Sequence, residues 1–276
     1  MTGAATPPTI GVFDSGFGGL TVLRALIDRL PHARYAFIGD TARLPYGSKS
    51  RRTIARYAIE SAQFLVHEQG AEFLVIACNT ASALALDAIR DSVPVPVLGV
   101  IEPGAEAARA ASHTGDVLVI ATDATVQSHA YTAACHARGL RVIEKACPLL
   151  VPLVEEGWTD HPVTAEVIRI YLDELNAAAA SQHMQPDALV LGCTHYPLLR
   201  SLIQSSVAPG VQVIDSAAAA AEAAARSFPG VLAAQAGEEH TIIRCFATDS
   251  VEKFERLGSR FLGRPVGEVG LVDLGG

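Results

Sequence analysis

Absences in this chain narrow the field before any motif is considered. Cysteine is sparse and odd in number, at Cys78, Cys135, Cys147, Cys193 and Cys245. None forms a C-x-x-C pair or a Cys/His spacing typical of zinc, which argues against a disulfide framework or a metal site. No apolar run reaches the roughly 18–20 residues that cross a bilayer. The opening Met1 to Pro8 has neither a basic n-region nor an apolar h-region, so a short disordered lead is expected rather than a secretion signal. Free thiols in a reducing cytoplasm, with no membrane contact, follow from these absences. Acidic residues outnumber basic ones, for a formal net charge of −8, and nucleic-acid binding through phosphate neutralisation is therefore not expected. The exception is a local run, Arg43, Lys49, Arg51, Arg52 and Arg56, with no acidic residue between them. A solvated basic helix face is its ordinary explanation; steering of an anionic substrate toward a nearby cleft is the second.

With hydrophobic residues at 50% and charged ones at 18%, the 276-residue chain is globular and long enough for one large domain or two small ones. Its informative stretch is Leu189-Val190-Leu191-Gly192-Cys193-Thr194-His195-Tyr196-Pro197, an apolar strand that ends in a thiol, a hydroxyl and an imidazole. That is how a site at the carboxyl end of a parallel strand looks. Phe73-Leu74-Val75-Ile76-Ala77-Cys78-Asn79-Thr80 repeats the pattern in the first half.

Strands are expected at 9–13, 34–38, 72–77 and 95–100, with helices from Leu20 to near Pro31, over 50–69 and over 81–91. Ile101-Glu102-Pro103-Gly104 is expected to turn the chain. The alternation then restarts, with strands at 116–121, 141–145, 187–192 and 211–214. Helices are expected through Tyr131 and His136, at 149–156 and near 163–180. This indicates an internal duplication with a period of about 110 residues, too long for a solenoid. The fold expected is α/β: two pseudo-symmetric three-layer domains with mainly parallel sheets and a site in the cleft between them. A helix at 217–228, a strand at 241–246 and a helix at 251–262 follow. Packing of this tail on the first half gives a discontinuous first domain, 1–99 plus 211–276, and a second domain, 100–210.

Two facing halves would put Cys78 and Cys193 on either side of one ligand atom. Helix N-termini lower thiol pKa values, so either could be a thiolate near neutral pH. One thiolate removing a proton while the opposite thiol returns one is the geometry of inversion at carbon. His195 is the natural partner of Cys193, and Asp14 of Cys78. The glycine-rich turn Asp14-Ser15-Gly16-Phe17-Gly18-Gly19 can offer backbone N–H groups to an anion. Ser15, Asn79, Thr80 and Thr194 can bond a carboxylate or cap the helices that follow. Pro45-Tyr46-Gly47 marks a turn that would display Tyr46. Cys135, Cys147 and Cys245 are expected to be small buried hydrophobes.

Taken together, several segments resemble glutamate racemase, of the aspartate/glutamate racemase superfamily. They are Val12-Phe13-Asp14-Ser15-Gly16-x-Gly18-Gly19, Gly39-Asp40-x-x-Arg43-x-Pro45-Tyr46-Gly47 and Ala77-Cys78-Asn79-Thr80-Ala81-Ser82. Val100-Ile101-Glu102-Pro103-Gly104, Thr125-Val126-x-Ser128, Gly192-Cys193-Thr194-His195-Tyr196-Pro197 and Asp215-Ser216-Ala217 complete the set. The resemblance implies cofactor-independent interconversion of L- and D-glutamate, without pyridoxal phosphate, metal or nucleotide, supplying D-glutamate for peptidoglycan. It implies Cys78 acting on the D-isomer and Cys193 on the L-isomer, assisted by Asp14 and His195 respectively. Substrate contacts map onto Asp14, Ser15, Tyr46, Gly47, Asn79, Thr80, Thr194 and His195. Asp40 and Glu155 match acidic positions of secondary importance, and Thr122 and Thr125 are further contacts. A homodimer is implied, though no exposed stripe selects its face. Racemisation of aspartate, a non-catalytic amino-acid binder and a Cys-His hydrolase remain as rival readings of the residues.

Overall fold

A computed structural model describes residues 7–228 and 241–275. Its first half runs β1 (Thr9–Asp14), α1 (Leu20–Arg29), β2 (Arg34–Gly39), α2 (Arg51–Gln63), β3 (Phe73–Ile76), α3 (Asn79–Leu84), α4 (Leu86–Ser92) and β4 (Val97–Gly99). The second half runs α5 (Ile101–Ala111), β5 (Asp116–Ala121), α6 (Asp123–Gln127), α7 (Ala130–His136), β6 (Arg141–Ala146), α8 (Leu150–Glu155) and α9 (Pro162–Ser181). It continues through β7 (Ala188–Gly192), α10 (Arg200–Ser206) and β8 (Gln212–Asp215). The tail holds α11 (Ser216–Ser227), β9 (Ile243–Ala247), α12 (Val251–Leu262) and β10 (Val269–Leu271).

Every strand pairing is parallel, and the strands fall into two sheets, β10-β9-β2-β1-β3-β4 and β6-β5-β7-β8. The order β2-β1-β3-β4 in one is repeated as β6-β5-β7-β8 in the other, which is the duplication in structural form. β1, β3, β5 and β7 are buried along their whole length, because helices cover both faces of a parallel sheet. In each half the chain leaves the first strand to one side and returns on the other. The carboxyl ends of β1 and β3, and of β5 and β7, therefore border the crevice at the topological switch point.

The tail joins the first sheet at its β2 edge through β9, and β10, a strand the sequence reading missed, extends that edge. β8 pairs with β7, so a division at residue 211 would cut it from its own sheet. Helix α11 packs on both α1 and α5 and ties the halves together.

Local differences have identifiable causes. Ile101-Glu102-Pro103-Gly104 opens α5 instead of turning the chain, because proline in a first helical turn forfeits no intrahelical bond. The helix expected over 81–91 begins at Asn79 and breaks at Ala85, whose φ is −130°. The helix expected over 50–69 ends its α-helical part at Gln63 and continues as a π-helical turn over Phe64–Glu68. The helix through Tyr131 is two short ones, interrupted where His129 takes a left-handed φ of 55°. Among the described residues no helix is long and apolar enough to cross a membrane.

Candidate active site

Asp14 terminates β1 and is almost fully buried. Its Oδ2 accepts from the Gly16 N–H at 3.0 Å, and the Gly19 and Ser15 N–H groups also point at the carboxylate. Three amides of the turn, those of Ser15, Gly16 and Gly19, thus serve its own aspartate. Burial raises the Asp14 pKa, against the opposing pull of His195 and those amides, and Oδ1 has no partner. Gly18 serves close approach: a Cβ there would lie 2.4 Å from Thr194 Oγ1 and 2.6 Å from the His195 ring, across the domain boundary.

Cys78 follows β3 and is itself the N-cap of α3, its Sγ accepting from the Ala81 N–H at 3.4 Å. Ser15 Oγ lies 3.4 Å from the same sulfur. Neither Ser15, Asn79, Thr80 nor Thr194 caps the helix that follows it. Cys193 follows β7 and precedes a 3₁₀ turn, Tyr196–Leu199, with His195 Nδ1 4.0 Å from its sulfur and 3.4 Å from Thr194 Oγ1. Low thiol pKa values are not found. Burial, reinforced by Asp14, pushes Cys78 up to about 11, and burial pushes Cys193 up as well. A short α3 and a 3₁₀ turn supply too small a dipole to offset desolvation of a thiolate.

His195 lies against Phe17 and edge-on to Phe261 of α12, its ring centroid 5.0 Å from the latter. Its Nε2 is 3.4 Å from Glu155 Oε1, an ion-pair distance without hydrogen-bond alignment. Lys253 Nζ, also on α12, lies 3.6 Å from the other Glu155 oxygen. Burial works to raise the Glu155 carboxyl, but His195 and Lys253 outweigh it and hold it below the usual range.

Cys78, Cys193, His195 and Glu155 border one cavity of about 600 Å³, lined by residues from both halves. Ser15, Tyr46, Gly47, Cys78, Asn79, Thr80, Thr122, Glu155, Cys193, Thr194 and His195 all line it. Three expected site residues do not. Asp14 lies behind the wall. Thr125, fully buried, holds the hydroxyls of Thr80 at 3.2 Å and Thr122 at 2.9 Å. Asp40, also fully buried, accepts from Tyr46 Oη at 2.5 Å, from Arg43 Nε at 2.9 Å and from Thr248 Oγ1 at 2.9 Å. Tyr46 is accordingly buried rather than displayed, though it lines the cavity.

The wall also contains residues that the sequence reading missed: Gly16, Phe17, Leu44, Pro45, Asp123, Pro148, Val151 and Pro152. The last three form an apolar side on and just before α8, with no sequence signal to separate them from core. Lys253 gave no signal either. The basic run does not converge on the cavity: Arg43 pairs with Asp40 and Glu60, Arg51 bonds Leu84 O, and Arg56 stacks on Tyr57. Cys135, Cys147 and Cys245 are buried free thiols. Among the described residues, no three His, Cys, Asp or Glu side chains cluster as a metal site would need.

Comparison with known proteins agrees with this geometry. A family described as Asp/Glu/Hydantoin racemase matches residues 20–224. The chain is 53% identical to the glutamate racemase of Koribacter versatilis over 98% of both sequences. It is 37% identical to a crystal structure of a glutamate racemase isoform from Bacillus anthracis, with a TM-score of 0.87 and 98% of each chain covered. A glutamate racemase from Francisella tularensis, crystallised with D-glutamate, is 33% identical with a TM-score of 0.85, again over 98% of each chain. With matches of this identity over nearly its full length, and with the same fold, the chain belongs to the Asp/Glu/hydantoin racemase family and, within it, to the glutamate racemases.

Proposed function

We propose that the protein racemises glutamate by a two-base mechanism, with Cys78 and Cys193 as the acid/base pair. The observation that carries this is the placement of both thiols: each follows the equivalent strand of its own half, and both line one cavity. The D-glutamate bound to the Francisella tularensis relative supports the substrate. Among the described residues no lysine or arginine lines the cavity, so the substrate's carboxylates would be met by neutral donors: Ser15, Asn79, Thr80, Thr122 and Thr194.

Burial favours the protonated form of both thiols. A substrate ammonium brings positive charge beside them and lowers the cost of ionising one. Cys193 then takes the α-proton of L-glutamate and Cys78 delivers a proton to the opposite face; the D-isomer reverses the roles. His195, beside Cys193 and steadied by Glu155, and Asp14, beside Cys78, move protons to and from the sulfurs. Asp40 and Thr125 hold Tyr46, Thr80 and Thr122 in place. On the strength of the family resemblance, the product is D-glutamate for peptidoglycan, formed in the cytoplasm by a homodimer that needs no pyridoxal phosphate, metal or nucleotide. The negative net charge supports the absence of a nucleic-acid partner.

Circular dichroism with each enantiomer tests this, together with deuterium exchange at Cα in D₂O. Glutamate should be racemised, and Cys78→Ala and Cys193→Ala should each lose at least about a hundredfold in activity. Turnover of aspartate but not glutamate would replace the substrate. Unchanged exchange in both variants would remove the mechanism.

A further inference from the structure

Tyr131 lies on α7, in the second half, and is fully buried. Its hydroxyl crosses to the first half and donates to Asn79 Oδ1 at 2.8 Å. Asn79 follows Cys78 and lines the cavity, and its Nδ2 is buried without a protein partner. An unpaired buried amide is costly, and such groups persist where a ligand satisfies them. Asn79 lines the cavity, and with Oδ1 engaged by the tyrosine only its N–H donors remain for a ligand.

The ring is fixed from two sides. A Cβ on Gly192, the residue before Cys193, would lie 2.9 Å from Tyr131 Cε2, and one on Gly104 would lie 3.3 Å from its hydroxyl. Tyr131 thereby touches the neighbour of each cysteine, one on each half. Two other fully buried tyrosines, Tyr35 and Tyr196, behave differently. Tyr35 donates to the backbone carbonyls of Leu26 and Leu30, and Tyr196 to those of Ala121 and Cys147, which are structural tasks. Tyr131 donates to a side chain of the cavity wall.

We infer that Tyr131 is a positioning residue: through Asn79 Oδ1 it holds the Asn79 amide as a donor to a substrate carboxylate, an inference that rests on the glutamate reading above. Because enantiomers have equal free energy, kcat/KM of a racemase is the same in both directions, and one value describes each variant. Wild-type turnover of glutamate tests the underlying reading. The inference itself is tested by a double-mutant cycle with Tyr131→Phe and Asn79→Ala.

Tyr131→Phe keeps the ring and should lower kcat/KM roughly three- to tenfold, the range of one hydrogen bond. Asn79→Ala should lower it further, and the double variant should match Asn79→Ala within about twofold, because the hydroxyl acts only through that amide. Tyr196→Phe, measured alongside, should lower the melting temperature and should multiply with Asn79→Ala in any effect it has on kcat/KM. Losses from Tyr131→Phe that multiply with those of Asn79→Ala would overturn the inference. So would a Tyr131→Phe protein of wild-type activity, or one that does not fold, which would assign the hydroxyl to stability alone.

Discussion

Each thiol in the cavity has a different companion, and the difference has consequences for the reaction. Cys78 has Ser15 Oγ at 3.4 Å with the buried Asp14 behind it, whereas Cys193 has the His195 ring at 4.0 Å with Glu155 beyond. If His195 serves only Cys193, its loss should burden abstraction from L-glutamate more than abstraction from D-glutamate. Equal free energies of the enantiomers force kcat/KM to fall alike in both directions, so the asymmetry must be sought elsewhere. His195→Asn is expected to reduce kcat for L-to-D turnover about tenfold more than for D-to-L. The primary deuterium isotope effect should grow with L-glutamate as substrate and change less with D-glutamate. Equal losses in kcat and equal isotope effects would show that His195 serves both sulfurs or neither.

Among the elements, the glycine-rich turn between β1 and α1 is closely confined. It must pass beside the second half without a side chain, because a Cβ on Gly18 would sit 2.4 Å from Thr194 Oγ1 and 2.6 Å from the His195 ring. A displacement of about 1 Å can cost a hundredfold in rate where groups must be aligned. Gly18→Ala is therefore expected to lower kcat/KM about a hundredfold. The fold should survive, since Gly18 does not adopt a positive φ and the clash is with two side chains. Steady-state kinetics alongside a thermal melt checks this; a variant with full activity would mean that His195 moves aside at no cost. The same turn shows how far elements are legible in sequence. Its glycines mark a tight strand-to-helix connection, but nothing in them says that the amides are taken by Asp14 and that the missing Cβ clears a histidine far along the chain. β1, β3, β5 and β7 were legible because parallel strands buried on both faces are near-continuous apolar runs, whereas the short, partly exposed β10 was not. Helix α5 was not, because Pro103-Gly104 has the composition of a turn, and the burial of Ile101, Pro103, Gly104, Ala105 and Ala108 that favours a helix there comes from packing in the folded chain.

The molecule as a whole places its cavity between two halves that are stitched together at several points. Thr21 Oγ1 donates to Thr194 O at 3.0 Å, Thr80 and Thr122 share a hydroxyl contact at 2.9 Å, and Tyr131 reaches Asn79. Duplication made the two cavity cysteines legible from sequence, since each half carries the same strand-end signature. The rest of the wall depends on packing between halves: Pro148, Val151 and Pro152 look like ordinary core, and Lys253 reaches Glu155 only because the tail folds back over the first sheet. At about 600 Å³ the cavity is in the range that holds a drug-sized molecule, roughly 300–1,000 Å³. An amino acid is smaller, and removing an α-proton without an electron sink requires water to be excluded. The loop at 44–47, from the first half, and the segment before α8, from the second, both line the cavity. D-glutamate at saturation is thus expected to slow amide hydrogen exchange in 44–47, 148–152 and 193–196 together, from both halves. Protection confined to one half would place the ligand on a single domain, and no protection in any of the three would mean a cleft that works without closing.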